Sequence, residues 1–173
     1  MRYRDLEMMK RRKVMELILF RHGIAVDRGT RLTDGERELT EKGIKKVKEA
    51  AKTMARILSE KKSTVIWSSP LVRAEQTAQL IREALELEQP SLFEFIASGD
   101  FEKLEEQLCN MPEDACIIIT GHAPDLDEWV TKLSGSTIKL QKGGAAGLEI
   151  NRRTPLEARL IWMMQPGGWK RFG

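Results

Sequence analysis

The stretch Leu17-Ile18-Leu19-Phe20-Arg21-His22-Gly23 sets four apolar residues directly before an arginine, a histidine and a glycine. A short unbroken apolar run reads as a strand buried on both faces, the kind found inside parallel sheets. The residues just after such a strand lie at its carboxyl end, where open α/β sheets leave a crevice for ligands. Folding alone does not call for Arg21 and His22 at that place.

Working outward from this strand, Glu16 to Phe20, similar runs occur at Thr64 to Trp67, Cys116 to Thr120, Gly147 to Asn151 and Arg159 to Met163. Helical patterns separate them. In "LTEKGIKKVKEAAKTMARIL", Ile44, Val47, Ala51, Met54, Ile57 and Leu58 recur close to helical spacing, with Thr40 as N-cap. A second helix is predicted in "SSPLVRAEQTAQLIREAL", with Ser69 as N-cap and Pro70 at the first helical position. A third is "DFEKLEEQLCNM", and a fourth, "PDLDEWVTKLSG", closes at Gly135. Strands alternating with helices predict an α/β fold on a mostly parallel sheet. The last two strands have no helix between them and are expected as an antiparallel pair at one edge.

A chain of 173 residues is the size of one domain. With 41% apolar and 32% charged residues of both signs interspersed, it is neither disordered nor membrane-embedded. The net charge of +3 is small and its Lys and Arg are scattered, so a nucleic-acid stripe is excluded and any anion affinity must be local. The leading "MRYRDLEMMKRRKVMELILF" has basic residues before an apolar run, but Glu16 cuts the run, Arg21 ends it and there is no small-residue cleavage site. It is not a secretory signal, and a cytoplasmic protein is expected. Residues 1–14 are read as a flexible extension and 15–173 as a single domain. Cys109 and Cys116 fit neither a CxxC motif nor a disulfide framework, and both are expected as core fillers.

The chemistry-bearing residues gather at strand ends. The first strand delivers Arg21, His22 and Gly23; the second delivers Ser68, Ser69, Pro70 and then Arg73; "IIIT" delivers Gly121 and His122. A histidine after a strand is usually an ordinary loop residue, and an arginine in the first turn of a helix opposes the dipole there. Here both histidines of the chain come directly after apolar strands, each beside a glycine, and Arg73 lies near a third strand end. That coincidence points to function. Guanidinium forks bind phosphate oxygens in pairs, a helix N-terminus adds backbone donors, and a neutral imidazole with one nitrogen tied to a carbonyl is a competent nucleophile toward phosphorus. Two histidines without clustered carboxylates or thiolates make an incomplete metal site, so neither a metal nor another cofactor is expected.

"LFRHG", "SSPLVRAEQTA" and "ITGHAPDL" resemble, in order and character, the signature segments of the histidine phosphatase superfamily, the phosphoglycerate mutase-like proteins. The resemblance runs from Met15 to about Ile150 and includes "LTEKGIKKVKEAAK", which is similar to the family's first helix. Short length, "LVRAEQT" and "GHAPDL" are most similar to SixA-type phosphohistidine phosphatases. This implies a three-layer α/β/α sandwich, with His22 as phosphate-accepting nucleophile and Arg21, Arg73, His122 and Gly23 around the phosphate. Mutases and monoesterases of the family carry a glutamate as general acid and a helical cap. The span from Arg73 to His122 is too short for a cap, and Glu94 in "LFEFIASGD" is only a positional candidate for the acid.

Hydrolysis of an alkyl phosphate needs a proton for the departing alkoxide, whereas an imidazole can leave neutral once its ring is protonated. An uncapped site also admits a side chain still attached to a protein. The resulting expectation is a metal-independent phosphohistidine phosphatase in signal transduction, acting through phospho-His22 on a phosphotransfer domain or a phosphotransferase carrier. No nucleic acid or membrane partner is expected. The alternatives are a small-molecule phosphomonoesterase, with Glu94 or an acid from "AVDRGTRLTDGERE", and a catalytically silent phosphoprotein-binding module. The segment "DRGTRLTDGERELT" is expected to be a mobile flap at the rim of the site, with Arg28 and Arg31 outside the core.

Overall fold

The computed structural model describes residues 14–29, 33–58 and 63–172. Residues 1–13 of the expected extension, and Arg31, lie outside them. The elements in chain order are β1 (Glu16–Arg21), a 3-10 turn (Asp34–Glu36), α1 (Glu41–Ile57), β2 (Thr64–Ser68), α2 (Val72–Leu85), β3 (Ser91–Leu92), α3 (Glu94–Ser98), α4 (Phe101–Cys109), β4 (Cys116–Gly121), α5 (Asp125–Ser134), β5 (Ala145–Arg153), β6 (Leu156–Met164) and α6 (Pro166–Phe172).

The strands form one sheet in the order β3-β2-β4-β1-β5-β6. β1, β2, β3 and β4 run parallel. β5 is antiparallel to β1 and β6 to β5, which gives the antiparallel C-terminal edge. Side-chain alternation sends Leu17, Leu19, Ile117 and Ile119 to one face, where they pack with Ile96, Leu104, Leu108, Leu126 and Trp129 of α3, α4 and α5. Ile18, Phe20, Ile66 and Ile118 go to the other face, against Val47, Met54, Ala78, Ile81 and Trp169 of α1, α2 and α6. Both faces of the central strands are therefore covered, which is why they read as unbroken apolar runs. The fold is the α/β/α arrangement expected, and the span from Arg73 to His122 holds α2, β3, α3, α4 and β4 with no inserted cap.

Local signals explain the helix ends. Thr40 caps α1 by accepting the Gly43 N–H, and Asp100 caps α4 by accepting that of Lys103. Gly135 ends α5 in the left-handed region, at φ 71°.

Other expectations are corrected. α2 begins at Val72 with Leu71 as its cap residue, not at Pro70 with Ser69, because the backbone stays extended at Leu71 (φ −68°, ψ 131°). Cys116 is buried but Cys109 is exposed. Leu104 and Leu108, one turn apart, carry the buried face of α4, and the next residue points away from it. Two-residue β3, α3 and α6 carry no signal that the sequence pattern reveals. α6 contains Gly167 and Gly168, poor helix formers, and is held by Trp169, which stacks at 6.3 Å on Phe20 and is buried.

Candidate active site

β1 ends at Arg21, whose backbone N–H donates to the Gly144 carbonyl at 2.9 Å. The next N–H, from His22, donates to the Gly121 carbonyl at 3.0 Å, tying the turn to the end of β4 just before His122. Gly143 N–H closes the far side on the carbonyls of Arg21 and His22, at 3.0 and 3.1 Å, while the Trp169 indole donates to the Gly143 carbonyl at 2.9 Å. Helix α6 thus braces the backbone that carries Arg21 and His22. Gly23 donates its N–H to Thr77 of α2, and Thr77 donates to the Arg73 carbonyl. A Cβ at Gly23 would stand 2.7 Å from Val47 Cγ2, so glycine is what allows α1 to close on this turn.

His22, Arg73 and His122 are all buried, and the two imidazole rings lie 5.1 Å apart. His22 Nδ1 is 2.7 Å from the Gly23 carbonyl, an acceptor only, so Nδ1 carries the proton and Nε2 is the unprotonated nitrogen. Arg73 Nε–H donates to that Nε2 at 3.3 Å. Desolvation by burial is the main reason the His22 pKa falls to about 3; His122, Arg73 and Arg21 push the same way, against the Gly23 hydrogen bond. His122 falls to about 4, again chiefly by burial, then through Arg73. Both rings are neutral at physiological pH.

Arg21 Nη1 donates to the Leu140 carbonyl at 2.6 Å, but its Nε–H is buried without a partner. His122 Nε2 lies 2.8 Å from Ser69 Oγ, whose oxygen also accepts the Leu71 N–H. Assigning the Ser69 hydroxyl proton to Nε2 puts the His122 proton on Nδ1, a second buried atom without a partner. Orphaned donors of this kind cost about 1–3 kcal/mol each. Two of them beside an unprotonated nucleophile are what a site built for an anion requires.

The expected four residues, His22, Arg21, Arg73 and His122, are thus brought together with Gly23. Glu94 is not among them: it is exposed at the start of α3 and makes no hydrogen bond to any of the four. Thr77, Asp34 and Arg37 are not singled out by the sequence, and Ser69 is read there only as a strand-end residue and helix cap. The expected flap proves only partly peripheral. Arg28 is 81% exposed, yet Arg37 and Leu39 are buried. The 3-10 turn is closed by Thr33 and Glu36 as a capping box, a T-x-x-E signal that is readable. It presents Asp34 to Arg73.

The family model for the histidine phosphatase superfamily (branch 1) matches residues 17–116. The chain belongs to the histidine phosphatase superfamily. By family it is a phosphatase, a hydrolase of phosphorylated substrates. An uncharacterized protein of Picosynechococcus sp. is 37% identical over 142 residues, covering 78% of this chain and 84% of that protein. Among solved structures, the protein histidine phosphatase SixA complexed with tungstate superposes with a TM-score of 0.77 at 20% identity, over 88% of this chain and 98% of that one. A phosphoserine phosphatase mutant from Entamoeba histolytica, in complex with phosphoserine, gives 0.67 at 18% identity, with 88% and 98% covered. Phosphoglycerate mutase from Plasmodium falciparum gives 0.65 at 19% identity, with 86% and 89% covered.

Proposed function

We propose that this superfamily member is a phosphohistidine phosphatase that acts on a phosphorylated protein through a covalent phospho-His22 intermediate. The observation that carries the reading is His22 itself, locked by Gly23 with its Nε2 lone pair facing Arg73, in a site with no cap inserted between Arg73 and His122. The likeness in fold to SixA supports it.

In the first step the His22 Nε2 lone pair forms a bond to phosphorus while the P–N bond to the substrate imidazole breaks, and that electron pair leaves with the substrate nitrogen. Protonation of the substrate ring lets it depart neutral. The phosphorylated His22 ring carries a positive charge, which the Gly23 carbonyl stabilises through Nδ1–H. Arg21, Arg73 and the His122 Nδ1–H face the phosphoryl oxygens and offset their charge in the transition state. In the second step water forms the new P–O bond, the P–Nε2 bond breaks, its electron pair returns to Nε2, and the water proton passes to solvent or to phosphate. Neither step needs a metal. The exposed position of Glu94 removes the obvious proton donor for an alkoxide, which favours a P–N substrate.

The substrate class proposed is a histidine phosphotransfer domain or a phosphotransferase carrier, in the cytoplasm and in signal transduction. Neither cysteine is in a disulfide, which suits a reducing compartment, and no helix among the described residues is long and apolar enough to cross a membrane.

The test compares turnover of a phosphohistidine protein with that of a panel of phosphate esters. The proposal predicts faster hydrolysis of the phosphohistidine protein, with Glu94→Gln within a few-fold of wild type. Brisk hydrolysis of a simple alkyl phosphate, lost by about 10²–10⁴-fold in Glu94→Gln, would instead make the protein a small-molecule esterase.

A further inference from the structure

Arg73 sits in the first turn of α2, where the helix dipole opposes a cation, and Arg21, Arg28 and Arg37 crowd the same side of the site. Something must hold Arg73 there with its Nε–H aimed at His22. Two groups of one residue do so. Arg73 Nη1 donates to the Asp34 carbonyl at 2.6 Å and Nη2 donates to Asp34 Oδ2 at 3.1 Å. The other carboxylate oxygen, Oδ1, accepts Arg37 Nε and Arg28 Nε, both at 3.0 Å, and lies 3.0 Å from Arg37 Nη2 in an ion pair.

Arg37 is buried and also donates to the Val26 carbonyl, so Asp34 is fixed to the β1–α1 connection as well as to α2. The Thr33–Glu36 capping box shapes the turn that presents it. With its outer edge taken by Asp34 and its Nε–H by His22, Arg73 keeps two of its five N–H groups unengaged for phosphoryl oxygens.

We infer that Asp34 is a positioning residue: gripped by Arg37, it clamps the outer edge of Arg73 and so sets the guanidinium plane that faces His22 and the phosphoryl group. The inference rests on the function proposed above for its catalytic consequence, though not for its geometric one. Asp34 acts through Arg73 and touches neither the nucleophile nor the substrate. The opposite reading of the same contacts is that Asp34 competes with the phosphoryl group for Arg73. The two differ in the sign of one substitution.

The experiment is Asp34→Asn, which keeps the size and removes the charge at a residue 47% exposed, with cooperative thermal unfolding as the check that the variant folds. Three readouts apply: the Arg73 Nε–H and His22 Nε2 resonances by NMR, the affinity for orthophosphate, and kcat and KM with a phosphohistidine protein. The clamp predicts faster exchange of the Arg73 Nε–H, a changed His22 Nε2 shift and weaker orthophosphate binding. It also predicts a loss of roughly tenfold to a hundredfold in kcat, with a smaller change in KM.

Asp34→Glu, which keeps the charge but moves it by one methylene, should fall between wild type and Asp34→Asn, and it serves alone if Asp34→Asn does not fold. Tighter orthophosphate binding with undiminished turnover would overturn the clamp in favour of a competing carboxylate. No change in any readout would overturn it as well. If the wild-type protein does not hydrolyse phosphohistidine, the proposed function fails, while the NMR and orthophosphate measurements still decide the clamp.

Discussion

His22 and His122 are buried among guanidinium groups, and their neutrality has a measurable consequence in acid. Both pKa values are depressed in the folded protein, to about 3 and about 4, below the ordinary value of 6.5. As pH falls below 6.5 the unfolded chain takes up protons that the folded chain refuses, so stability present above pH 6.5 is lost progressively toward pH 4 and below. Each histidine contributes a slope of up to about 1.4 kcal/mol per pH unit in that window. Imidazole resonances of both rings should show no titration midpoint from pH 8 to 5; a midpoint near 6.5 for either would contradict the burial account. Arg73 gives a second expectation at this scale. Arg73→Lys supplies charge without the fork, and its loss of transition-state stabilisation should be about 2.7–4 kcal/mol, read from kcat/KM. A variant that retains most of the wild-type rate would show that a point charge suffices.

The helices hold this chemistry through close approaches that tolerate no added atoms. At Gly43 in α1, a Cβ would lie 2.0 Å from the Ile24 carbonyl oxygen, two residues beyond His22. Gly43→Ala must therefore push α1 away from the catalytic turn, at a cost of about 1–3 kcal/mol or more in urea unfolding, with activity lost in parallel. An unchanged urea midpoint would refute the packing. Trp169→Ala in α6 should cost about 3–5 kcal/mol, since it opens a cavity beneath Phe20 and leaves the Gly143 carbonyl without its indole donor.

These elements also show how far the sequence is legible. β1, β2 and β4 are readable because cover on both sides of the sheet leaves an unbroken apolar run in each, and Arg21, His22 and His122 because they follow such runs within two residues of the strand end. Asp34 and Arg37 are not, because the segment between β1 and α1 has no period to read, although T-x-x-E marks a turn within it. Ser69 looks like a helix cap because sequence alone does not show that His122 lies beside it. α6 is hidden by its two glycines, and its stability comes from one tryptophan inserted into a core built by other elements.

At the scale of the whole molecule, the parallel order β2-β4-β1 brings three strand ends side by side, and the antiparallel turn before β5 closes the row through Gly143 and Gly144. Residues distant in sequence, Arg21, Arg73 and His122, are thereby gathered around the His22 imidazole, and no cap is inserted between Arg73 and His122. The central claim is that His22 Nε2 carries the phosphoryl group during turnover. The most direct measurement is acid quench after brief exposure to a phosphate-labelled phosphohistidine protein, and then mapping of the label on the enzyme. The account predicts an acid-labile, base-stable label on His22, absent from His22→Ala; equal labelling of His22→Ala, or a label mapping to another residue, would contradict it.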